Sequence, residues 1–147
     1  MSIEKTSSQR PGGVTSSVRQ PSATSQVSAW LKQHKLGQIY VQESFGHTTY
    51  YLQGEGKVSV REEYLHLNLA WLAKKVEGGW ENAVGANLNQ RYYLGVFGNN
   101  IGPTVSSCTD QRSGTPRLVL NIPGGHVVIL YSEGGKYLDP KTVRGLQ

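Results

Sequence analysis

The segment Val60–Val76 decides which fold class this chain can adopt. Leu65, Leu69, Leu72 and Val76 recur at helical spacing, and Leu67 and Trp71 widen the apolar face. Ser59-Val60-Arg61-Glu62 stands before them as a capping box. In that motif the serine hydroxyl accepts from an early backbone N–H and the glutamate reaches back. Gly78-Gly79 supplies the stop. The pattern predicts a helix from about Val60 to Val76, with an apolar face wide enough to run through the middle of a small domain.

Such a helix needs a covering layer, and the C-terminal third supplies one. Arg117–Ile122 and His126–Ser132 have strand composition and are joined by Pro123-Gly124-Gly125. Glu133-Gly134-Gly135 turns the chain and Lys136–Leu138 returns it. Upstream, Gln38–Glu43 and Thr48–Gln53 form a second hairpin pattern. A short helix is expected over Ala29–Lys35, with Ser28 as N-cap and Gly37 as its stop. Trp80–Leu88 reads as another short helix, Arg91–Phe97 as a strand and Asn99–Pro116 as a long loop. Helix first and a mostly antiparallel sheet after it is an α+β order.

The first 28 residues differ from the rest. Eleven of them are Ser or Thr and none is aromatic, so they cannot bury enough apolar area to offset their ordering entropy. They are expected to be a flexible tail, leaving 29–147 as a single domain. The tail's composition resembles the N-termini of bacterial type III secreted effectors, which would imply a non-classical route into a host cell. No apolar run approaches the ~20 residues that span a bilayer, and the N-terminus has no apolar signal region. A soluble protein is expected. The net charge of +5 comes from scattered residues, with Lys74-Lys75 the one adjacent basic pair. A nucleic-acid footprint should cluster, so nucleic acid is not an expected partner. One cysteine, Cys108, excludes an intrachain disulfide and thiolate-rich zinc sites. His34, His47, His66 and His126 have no ligand spacing. No metal and no cofactor are expected.

The residues that could carry chemistry begin with His126, which opens an otherwise apolar strand. A turn at Glu133-Gly134 would bring Asp139 back near the level of His126. A carboxylate there can hold one imidazole nitrogen and leave the other as a base. A structural histidine at a strand end, followed by an Asp-Pro turn, explains the same residues. Upstream lies Gln53-Gly54, and six residues after Gln53 comes Ser59 at the predicted helix start. A helix N-terminus is where a thiolate is best stabilised.

The ordered set Gln53-Gly54, Ser59, His126, Asp139 resembles the papain-like cysteine proteases. Gly-His-Val-Val-Ile followed by Tyr-Leu-Asp-Pro looks like their bacterial branches, namely effector proteases of the YopT type and bacteriocin-processing peptidases. The resemblance covers roughly residues 50–75 and 117–141. It implies a papain-like α+β fold, with a central helix on a mostly antiparallel sheet. It also implies a thiol hydrolase acting on a protein or peptide substrate, a host protein among the candidates. In that scheme the residue at Ser59 attacks, His126 is its ion-pair partner and general acid, and Asp139 orients His126. The Gln53 amide stabilises the oxyanion.

The family requires cysteine where Ser59 stands, and a serine there should be nearly inactive. A replaced native cysteine, a natural pseudoenzyme and a plain N-cap remain three open explanations. Cys108, in a polar loop, is the rival nucleophile. The alternative function is a non-catalytic secreted or virion binding module that uses a β-rich surface.

Overall fold

The computed structural model describes residues 22–45, 47–83, 87–109, 111, 114–134 and 143–144. These described residues form one helix, α1 (Ala23–Gln33), and nine strands. These are β1 (Leu36–Phe45), β2 (Thr48–Arg61), β3 (Tyr64–Val76), β4 (Gly79–Asn82), β5 (Asn87–Tyr93), β6 (Thr104–Thr109), β7 (Pro116–Ile122), β8 (His126–Ser132) and β9 (Val143–Arg144). A short 3₁₀ turn occupies Gly98–Asn100. The strands form one open sheet in the order β6-β7-β8-β1-β2-β3-β4-β9, with β5 also paired to β3. Every pairing is antiparallel except β4 with β9. No helix among the described residues is long and apolar enough to cross a membrane.

This overturns the papain-like α+β expectation, because the central helix it required does not exist. Ser59, Val60 and Arg61 end β2, and Glu62-Glu63 form a tight turn, Glu62 at φ 59°. Tyr64–Val76 returns as β3, with Arg61 opposite Tyr64 and Ser59 opposite His66. The physical reason lies in two overlapping periods. Leu65 and Leu69 are four apart and satisfy both a helix and a strand. Leu67 decides: a residue two positions on shares a face only in a strand. Leu65, Leu67 and Leu69 are all buried, while Asn68 and Ala70 are exposed.

Other elements differ in the same direction. The described residues of Trp80–Leu88 are not helical; they belong mostly to β4 and the start of β5. The long loop expected over Asn99–Pro116 contains β6. The N-terminal helix starts earlier than Ala29, at Ala23, and Ser22 caps it by accepting from the Ser25 N–H at 3.1 Å. The helix therefore begins inside the segment read as a tail. Eleven residues make a marginal helix on their own, and α1 is held by burying Val27 and Trp30 in the core. The two hairpins, β1–β2 and β7–β8, form where the turn chemistry placed them.

The sheet curls until β5 comes against the start of β8. From β5 to β8 is four strand steps through β3, β2 and β1, roughly 19 Å on a flat sheet. Yet the rings of Tyr92 in β5 and His126 in β8 have centroids 5.4 Å apart. The concave face holds the core: Ile39 and Val41 of β1, Leu65, Leu67 and Leu69 of β3, Leu118 and Leu120 of β7, and Val128 and Leu130 of β8. Gly56 permits the close approach of β2 to β3. A Cβ there would sit 2.2 Å from the Asn68 carbonyl oxygen.

Candidate functional site

His126 opens β8 as its sequence implies, directly after Pro123-Gly124-Gly125. Gly124 and Gly125 have φ of 104° and 86°, values that favour glycine, and a Cβ on Gly124 would press on His126 Nε2 at 3.0 Å. This turn fixes the histidine at the end of the concave face. There Nδ1 donates to Glu43 Oε2, and the Tyr92 hydroxyl donates to Glu43 Oε1. One carboxylate from β1 thus holds donors from β8 and β5. Glu43 and Tyr92 are buried, and the His126 side chain is 24% exposed. Burial, followed by the hydrogen bond and negative charge of Glu43, pushes the Tyr92 phenol well above its ordinary range, so it stays a neutral donor. Nε2 of His126 makes no hydrogen bond among the described residues. Chemically this is an oriented imidazole with one free nitrogen, and no hydroxyl or thiol in the described structure is bonded to it.

The structure does not bring Gln53 or Ser59 to this place. Gln53 lies in β2 opposite Tyr40, on the convex face, fully buried. Its Nε2 donates to Gln38 Oε1 at 2.9 Å, and its own Oε1 has no partner among the described residues. Ser59 is exposed on that same convex face, in a row with His66 and Arg91. Six residues of strand put it roughly 20 Å from Gln53. The neighbouring row, Val60–Leu65–Tyr92, faces the core. Ser59 and His126 therefore point to opposite sides of the sheet. Asp139 lies outside the described residues. Cys108 is exposed in β6, and its Sγ accepts from Arg117 Nε at 3.2 Å.

Glu43 and Tyr92 are the residues of this cluster that the sequence did not point to. For Glu43 the signal was parity: it continues the Ile39, Val41 alternation, a carboxylate in a core-facing position that must have a partner. No group of three or more His, Cys, Asp or Glu residues that could hold a metal occurs among the described residues.

A second candidate is a surface. Strand β6 ends the sheet order and pairs only with β7 among the described residues. Natural edges are usually guarded by charge, proline or a bulge. The β6 sequence Thr-Val-Ser-Ser-Cys-Thr has no charge and no proline, and its register against β7 has no shift. Immediately before it, Val96, Phe97 and Ile101 are each more than half exposed on a tip closed by the Phe97 N–H to Ile101 carbonyl hydrogen bond. Two hollows lie where α1 meets β6. The larger, about 400 Å³, is walled by Ala23, Leu94, Val96 and Val105. The smaller, about 210 Å³, is walled by Ala29, Trp30, Ser107 and Leu118.

No family model, curated protein or solved structure matches this chain.

Proposed function

We propose that this chain is a non-catalytic binding module that captures polypeptide partners along the β6 edge. One observation carries the reading: a six-residue edge strand without charge, proline or bulge continues directly from an exposed apolar tip. An unpaired strand edge offers a row of N–H and C=O groups to an added strand. Exposed apolar side chains beside it mark an interaction site rather than an ordinary surface. In this reading the Glu43–His126–Tyr92 cluster is the clamp that holds the curled sheet closed. The hydrolase reading retains one support, the carboxylate-held imidazole of His126, and lacks a nucleophile at Nε2 among the described residues.

The test is an array of six-residue peptides, the length of β6, probed with the wild-type chain and with Ser107→Lys. Ser107 is exposed and borders the smaller hollow, so a lysine there puts a charge in the path of an added strand. Binding by the wild type that the substitution abolishes supports the reading. No peptide bound above a proline-substituted control set, or binding indifferent to Ser107→Lys, refutes it.

A further inference from the structure

We propose that the occupant of the β6 edge is an extended peptide carrying an apolar residue for the larger hollow and a lysine or arginine beside it. This rests on the reading of β6 as a capture edge. Thr104 at the start of β6 lines the larger hollow and Ser107 lines the smaller. A strand laid along β6 passes both. Its side chains alternate, so every second one points toward α1 and the hollows.

The walls set the chemistry. Leu94, Val96, Pro103 and Val105 form the apolar part of the larger hollow's lining, beside the polar Gln26 and Thr104. An aliphatic side chain fits it better than a charged one, which would be desolvated without a partner. Glu63 is the single charged residue among those lining this hollow. It is exposed; its carboxylate accepts from the Tyr93 hydroxyl at 3.5 Å, and its backbone carbonyl from the Leu94 N–H at 2.7 Å. No described lysine or arginine pairs with it. The unneutralised carboxylate raises the pKa of the neighbouring Tyr93 phenol, chiefly through its charge. A basic side chain next to the apolar one meets that carboxylate; an acidic one is repelled by it. The complementarity is local, since the chain as a whole carries +5.

The experiment takes the best array peptide, labels it with fluorescein and measures its anisotropy with the full chain. A second peptide replaces its lysine or arginine by norleucine. Val96→Asp, at a residue 63% exposed, should weaken both peptides about tenfold, the value of one strong apolar contact. Glu63→Gln should weaken the basic peptide about threefold, as expected for an exposed ion pair, and leave the norleucine peptide unchanged. Equal effects of Glu63→Gln on both peptides, or array peptides without basic residues, overturn the inference and leave the capture edge standing. Binding unaffected by Ser107→Lys overturns the edge itself. A wild-type chain that is dimeric by light scattering, with Ser107→Lys monomeric, would make a second copy the occupant and also overturn the inference.

Discussion

Glu43→Gln is the sharpest test of how this fold is held closed. The amide keeps the shape of the carboxylate and removes its charge. Two donors, His126 Nδ1 and the Tyr92 hydroxyl, now share that one carboxylate. Hydrogen bonds to a charged group contribute about 1.5–3 kcal/mol and neutral ones about 0.5–1.5 kcal/mol. The amide oxygen can still accept from Tyr92, with a loss of about 1 kcal/mol. The amide NH₂ faces His126 Nδ1, and that bond, worth about 2 kcal/mol, fails unless the ring changes tautomer. The Glu43 side chain is 9% exposed and that of His126 24%, so water replaces little at the first and something at the second. The expected loss is about 3 kcal/mol, a large share of a typical 5–15 kcal/mol stability. In a domain of this size it lowers Tm by about 10 °C. Urea unfolding followed by circular dichroism measures it, and a cycle with His126→Asn should show about 1–2 kcal/mol of coupling. A loss below about 1 kcal/mol, or no coupling, would refute the argument that this cluster clamps the sheet.

Three further outcomes follow from the same structure. Tyr92 has its pKa raised in the folded state, chiefly by burial, so the stability tied to its proton is full below the unfolded value near ~10 and falls as pH rises above it. Urea midpoints between about pH 9 and 11 should decline more steeply for the wild type than for Tyr92→Phe. Gly56→Ala places a Cβ 2.2 Å from the Asn68 carbonyl and 2.9 Å from Leu69 Cα, both backbone; it should cost more than about 3 kcal/mol or prevent folding, seen as lost near-ultraviolet dichroism. A cysteine placed by Ser59→Cys lies on the open convex face; iodoacetamide should label it no faster than Cys108, and a rate tenfold higher would revive a site around it.

The β1–β2 and β7–β8 hairpins were legible because turn chemistry bounded them. Pro123-Gly124-Gly125 fixed the β7–β8 hairpin, and His126 fell at a strand start as its neighbours require. The Val60–Val76 segment misled because leucines four apart fit two periods, and only Leu67 distinguishes them. Arg61-Glu62-Glu63-Tyr64 contains no glycine, asparagine or proline, so nothing marked the turn that Glu62 makes in the left-handed region. Half of the site was visible in the same way. His126 was found, but its carboxylate comes from Glu43, 83 residues earlier. No local pattern announces a contact that exists only because the sheet curls. A strict reading of strand parity would have flagged Glu43, though not its partners.

The separation of those partners also sets when the clamp can form. Tyr92 is 49 residues from Glu43, and His126 is 83. Contacts so distant along the chain close large loops and come late in folding, after local hairpins have reduced the search. Glu43 should therefore contribute little to the folding transition state. Its loss should leave the refolding rate nearly intact and accelerate unfolding. The residue that joins β1, β5 and β8 across the curl then acts mainly on the lifetime of the native state, which governs resistance to irreversible inactivation.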